Sequence, residues 1–177
     1  RGEICAQDIR LERRYPKSEG GRNHKFGRET DFPAGQEDVQ MAVVEELLRS
    51  EADGAISFGN YKLAKKAKVE DYQHAGDLLK VKTCSEITKL EKNGMFLYES
   101  VPGTSVLGFA ETETGVEFTV EGDEDAQITV GLADGKAYEV FVGGESIGAI
   151  KTKFGGKLSL SVELEAADDV FVKIVQI

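Results

Sequence analysis

The sequence has no tryptophan, two cysteines, two histidines and three prolines among its 177 residues, and each scarcity narrows what the chain can do. Cys5 and Cys84 allow one disulfide at most, far from the dense framework of a small secreted scaffold. Cys84 reads as a small packing residue. His24 and His74 have no Cys or His at ligand spacing, so no metal site is expected. Without tryptophan there is no broad ring on which a sugar would stack, which leaves Tyr61, Tyr72, Tyr98 and Tyr138. Tyr138 shares an alternating face with Val140 and Val142 and belongs to the core. No G-x-G-x-x-G pattern or Walker loop occurs, so no nucleotide cofactor is expected. No apolar run approaches the ~18 residues that span a bilayer. Residues 1–20 hold no apolar leader segment, which makes a cytoplasmic location the expectation.

Charge of one sign is also scarce. The formal net charge is −10, against a general affinity for nucleic acid or anionic membrane, both of which reward clustered Lys and Arg. Arginine vanishes partway along the chain: Arg1, Arg10, Arg13, Arg14, Arg22, Arg28 and Arg49 all precede Glu51, and only lysines follow. That shift marks a boundary near residue 50. Residues 17–35 are glycine-rich and lack hydrophobic periodicity, so 1–50 is expected to be a flexible tail or extension. Within it, 37–50 can form a short helix with Val39, Val43, Val44 and Leu47 on one stripe. Residues 51–177 are expected to form a single, mainly β globular domain.

Apolar–polar alternation dominates this second part. Ala55–Tyr61 and Lys80–Thr83 read as short strands, and 62–71 leans toward extended structure. Thr83 and Glu86 have the spacing of a helix capping box, Cys84, Ile87 and Leu90 supply a stripe, and Asn93-Gly94 is a stop; together they predict a helix over 84–92. From Met95 every segment is strand-like. Val116, Phe118 and Val120 alternate with polar residues, as do Ile128, Val130 and Leu132, then Leu158, Leu160, Val162 and Leu164. Pro102-Gly103, Gly143-Gly144 and Gly155-Gly156 read as turns. The expected class is all-β: a small antiparallel sandwich over about 95–177, preceded by short strands and one short helix.

Candidate chemistry is sparse. A Ser/His/Asp set would have to recruit His74 alone. Glu111 and Glu113 are a carboxylate pair, but i, i+2 residues share a strand face by period alone. Glu121, Asp123, Glu124 and Asp125 offer carboxylates without the ligand alternation of a known Ca2+ loop, and read as a solvated acidic turn. No catalytic, cofactor-binding or metal-ligating residue is assigned.

Three stretches, ADGAISFGNYKLAKKAKVEDYQ (52–73), KNGMFLYESVPGT (92–104) and FGGKLSLSVEL (154–164), resemble short proteins of anaerobic Gram-positive bacteria labelled endosialidase. The K-x-Y-x-V-x-V strand over 136–142, with its glycine turn, is similar to the β-sandwich modules that close some polysaccharide-active enzymes. The resemblance covers much of 51–177 and implies cleavage of polysialic acid. Sialidases clamp the substrate carboxylate with arginines, which match it bidentately. Residues 51–177 contain none, so no catalytic residue carries over. The expectation is a non-catalytic domain for binding or assembly, with a homo-oligomer, a protein partner or a glycan as its counterpart. The alternative is a carbohydrate-active or carbohydrate-binding protein.

Overall fold

The structure, a computed structural model, describes residues 43–177. Cys5, His24, the glycine-rich stretch and the 37–42 part of the expected helix lie outside them. The chain forms β1 (Leu48–Ser50), β2 (Ile56–Phe58), β3 (Ala67–His74), β4 (Asp77–Thr83) and β5 (Thr88–Lys92). It continues through β6 (Met95–Val101), β7 (Ser105–Glu111), β8 (Gly115–Glu121) and β9 (Ala126–Gly131). Then come β10 (Ala137–Val142), β11 (Glu145–Lys151), β12 (Lys157–Val162) and β13 (Val170–Gln176). Two antiparallel sheets pack as a sandwich, ordered β1-β2-β7-β8-β13-β10-β11 and β12-β9-β6-β5-β4-β3. The described residues contain no helix, and so none long and apolar enough to cross a membrane.

The class is the expected one, with three corrections. The helix expected over 84–92 is a turn and a strand. Thr83 pairs with Thr88, and the Cys84 amide donates to the Ile87 carbonyl at 2.9 Å, closing a four-residue turn. Asn93-Gly94 is a two-residue hairpin loop, with φ of 51° and 77° and Lys92 opposite Met95. Such a loop needs positive φ at both positions, which Asn and Gly supply at least cost. The described part of the expected 37–50 helix is likewise not helical. Leu47 has φ of 67°, and Leu48–Ser50 pair with Ile56–Phe58. Finally, the sandwich is not confined to 95–177: β3, β4 and β5 make half of the second sheet. The compositional seam at residue 50 falls at the end of β1, inside the fold, and Val44 and Leu48 are buried.

Alternation places the core. Leu158, Leu160 and Val162 on β12, Val116, Phe118 and Val120 on β8, and Val172 and Ile174 on β13 are all buried. Phe58, Tyr98, Phe109 and Phe118 meet at the centre with ring centroids 5.3 to 6.3 Å apart. A register shift between Leu90 and Glu91 turns both Leu97 and Tyr98 inward. Tyr98 therefore lies in the core with Tyr138, and Tyr61 is buried too, so of the four candidate tyrosines only Tyr72 is not buried.

A buried hydroxyl network joins the turns at one end. Thr104 Oγ1 lies 2.9 Å from Tyr98 Oη and 2.7 Å from Ser100 Oγ. Thr88 Oγ1 donates to the Thr104 carbonyl at 2.7 Å and lies 2.8 Å from Thr83 Oγ1, which accepts the Asn60 amide at 2.8 Å. Burial pushes the Tyr98 phenol well above its usual range, so it stays protonated.

Two substitutions test this description. Leu48→Ala should cost about 2–5 kcal/mol in a urea melt, whereas Ser159→Ala, on a half-buried outer position, should cost under about 0.5 kcal/mol; equal stabilities would place Leu48 outside the fold. Thr104→Val keeps the shape but strips the hydroxyl from Tyr98 and Ser100, and should cost about 1–3 kcal/mol. A neutral result would mean the network does not hold the turns.

Candidate functional site

The two ends of the sandwich differ. At one end the β5–β6 and β7–β8 turns and the β9–β10 connection surround an open cleft of about 440 Å3. Met95, Phe96, Leu97 and Tyr138 give it apolar walls, while Asn93, Glu111, Thr112, Glu113 and Thr114 bring polar groups. The Lys157 ammonium lies over the Phe96 ring, 4.7 Å from its centroid. A second cavity of about 170 Å3 shares Lys92, Leu97 and Glu111 with the first and adds His74, Asp77 and Phe109.

Lys92 stands between the two cavities. From β5 in one sheet its ammonium reaches Glu111 Oε2 of β7 in the other, 2.5 Å away, and Asp77 Oδ2 at 3.4 Å. Those partners raise the Lys92 pKa, Glu111 most of all, against the opposing effect of burial. Asn93 is fixed beside it: Oδ1 accepts the Leu78 amide at 2.9 Å and Nδ2 donates to Asp77 Oδ1 at 2.7 Å. The latter bond is the main reason the Asp77 carboxyl titrates below its usual range. The strands thus bring Glu111 and Glu113 to one cleft, with a lysine bound to the first.

His74 meets a partner that the sequence did not suggest. Its Nδ1 lies 2.7 Å from Ser50 Oγ and its Nε2 lies 3.0 Å from the Gly54 carbonyl. The carbonyl can only accept, so Nε2 carries the proton in that contact, and in the neutral ring Nδ1 then accepts from Ser50. Tyr72 Oη accepts the Ser50 amide at 3.1 Å and also lies 3.1 Å from Ser50 Oγ. Ser50 and His74 have the spacing of a nucleophile and a base. They also tie β1, at the margin of one sheet, to β3, at the margin of the other. Residues 144–148 read G-E-S-I-G, the spacing of a hydrolase nucleophile turn. They enter the marginal strand β11 from a hairpin rather than a strand-to-helix turn, and Ser146 Oγ donates to Glu139 Oε1 at 2.9 Å.

The opposite end is acidic. A cavity of about 600 Å3 is lined by Tyr61, Glu121, Gly122, Asp123, Leu164, Glu165, Ala167, Asp168 and Asp169. The expected solvated turn is only partly so. Asp123 is exposed and pairs with Lys62. Asp125 Oδ1 accepts the Leu164 and Glu165 amides at 2.9 and 3.1 Å. Glu121 is only 5% exposed, and its Oε2 has no hydrogen-bond partner among the described residues. Burial first, then the negative charges of Asp169 and Asp168, raise its pKa above the ordinary 4.5.

The sign of that shift gives a test. A carboxyl that holds its proton more tightly when folded favours the native state at low pH. That advantage disappears as pH rises from the ordinary value of 4.5 through the raised one. In EDTA, Glu121→Gln should therefore gain stability relative to the unaltered protein between about pH 4 and pH 7. A stability difference that stays constant over this range would sink the assignment.

The chain's own geometry is what its function has to be read from, since no family model, curated protein or solved structure matches it.

Proposed function

We propose that residues 43–177 are a non-catalytic binding domain whose ligand seat is the cleft between the β5–β6 and β7–β8 turns. The observation that carries this is the cleft itself: about 440 Å3, with apolar walls and convergent polar groups. That volume lies within the usual range of small-ligand sites. Binding is favoured over assembly by the edge strand β11. Its register with β10 shifts so that Ile147 is an extra residue, and such a bulge twists an edge away from pairing with another strand.

Catalysis finds less support. The Ser50–His74 pair is an exposed bridge between sheet margins, and Ser50 Oγ is shared with Tyr72 Oη. Arg49, the one arginine among the described residues, is paired with Glu51 at 2.8 Å, so a cluster to clamp a sialic acid carboxylate is missing there.

One observation favours carbohydrate as the ligand, the second reading. The cleft sets Phe96 beside the hydroxyls of Thr112 and Thr114, the Asn93 amide and two carboxylates, groups that pair with sugar hydroxyls. This agrees with the endosialidase-like resemblance in ligand class, without its hydrolysis.

A glycan array with the purified full chain, with polysialic acid included, should give binding that Phe96→Ala weakens by about tenfold, the loss of one well-placed contact worth about 1.4 kcal/mol. No oligosialic products should form, and a fluorophosphonate probe should leave Ser50 unlabelled. Turnover abolished by Glu111→Gln, or labelling of Ser50 abolished by His74→Ala, would replace this reading with an enzyme. Binding that Phe96→Ala leaves intact would move the seat elsewhere.

A further inference from the structure

We propose that the acidic cavity at the end opposite the cleft binds a hard divalent cation, Ca2+ in class, through Glu121 together with Asp168 and Asp169. The first observation is a break in phase. On β8, Val116, Phe118 and Val120 point inward, so Glu121 should face out with Glu117 and Thr119. Instead it is buried beside Val120, with Oε2 unpartnered and the side chain lining the cavity. A carboxylate oxygen buried without a donor or a cation is disfavoured.

The surroundings deepen the deficit. Val120 pairs with Val170, which brings Asp169 and Asp168, just before β13, up to the end of β8. Among the described residues no lysine or arginine is paired with Glu121, Asp168 or Asp169. Lys62 is committed to Asp123, which lines the same cavity, and lies over the Tyr61 ring. Three carboxylates therefore share a cavity of about 600 Å3 without a paired counter-charge among the described residues. A small cation entering from solvent supplies what the side chains lack.

The donor set chooses its class. Every carboxylate there presents oxygen, and among the described residues no His or Cys lines the cavity, a set that favours a hard cation over the softer metals. Among the described residues no group of three His, Cys, Asp or Glu is placed to hold a metal ion, so the three carboxylates have to move together on binding. Such a loose, loop-borne arrangement suits Ca2+, which accepts six to eight oxygens in flexible geometry, better than Mg2+ with its strict octahedron. The two loops are already joined at their base, where Asp125 holds the Leu164 and Glu165 amides. Binding then draws Glu121 on one loop toward Asp168 and Asp169 on the other, and this inference stands whatever occupies the cleft.

The test uses the full chain, stripped with EDTA and dialysed, with thermal melts and calorimetric titration against CaCl2, MgCl2 and NaCl of matched ionic strength. CaCl2 at about 5 mM should raise Tm by about 3–8 °C over matched NaCl. Glu121→Gln and Asp169→Asn should each weaken Ca2+ binding by about tenfold or more. Asp168→Asn, at an exposed position, guards against misfolding of the buried variant. The proposal is overturned if CaCl2 up to about 10 mM gives no heat and no shift beyond matched NaCl. It is equally overturned if Glu121→Gln responds like the unaltered protein, and an equal shift from MgCl2 overturns the Ca2+ assignment.

Discussion

At the end of the sandwich remote from the cleft, the Thr104 hydroxyl meets those of Tyr98 and Ser100, while the Thr104 amide and carbonyl both engage the Thr88 hydroxyl. Through Thr83 the same chain reaches the Asn60 amide, so three separate turns close on one buried set of donors and acceptors. The Tyr98 ring is held in place from its polar tip, and its body packs edge-on against Phe58, Phe109 and Phe118. Polar satisfaction and aromatic packing are therefore one constraint. The backbones approach so closely that two glycines have no substitute. A Cβ at Gly103 would sit 1.8 Å from the Cys84 carbonyl oxygen, and one at Gly59 would sit 2.4 Å from that of Thr104.

Much of the fold was legible because half-buried strands write their period into the sequence. Gly143-Gly144, a turn by its sequence, closes a two-residue hairpin with φ of 60° and 88° and Val142 opposite Glu145. The error over 84–92 arose where one string satisfies two local grammars. Thr83 and Glu86 have the spacing of a helix cap, but the Thr83 hydroxyl is spent on Asn60 and Thr88, partners distant in sequence or across a turn. Thr88 and Leu90 lie two apart and both face inward, the strand period that the helical stripe obscured. Non-local pairing decided the outcome, and no window on the sequence contains it.

The sites were less legible than the fold, for a related reason. Ser50 and His74 belong to strands of different sheets, and Ser50 lay in the segment expected to be a tail. Glu121 sits where alternation predicts a surface residue. It is buried because a connection more than forty residues onward, anchored by Leu164, folds over it. Glu111 and Glu113 form a visible i, i+2 pair, yet nothing in their spacing announces that Lys92 spans the two sheets to reach Glu111. Chemistry assembled from separate strands leaves no motif.

The Asn93-Gly94 turn carries a consequence for the ageing of the protein. Asparagine before glycine is the sequence in which the side-chain amide is most readily lost to water, leaving a carboxylate. At this turn the amide donates to Asp77, which also attracts Lys92. Conversion would set two negative groups against each other at the mouth of the cleft. Lys92 would then be drawn by three acids in place of two, and its hold on Glu111 across the sheets would weaken. The residue that gives the hairpin its geometry is thus also the place where slow chemical damage would first alter the shape of the ligand seat.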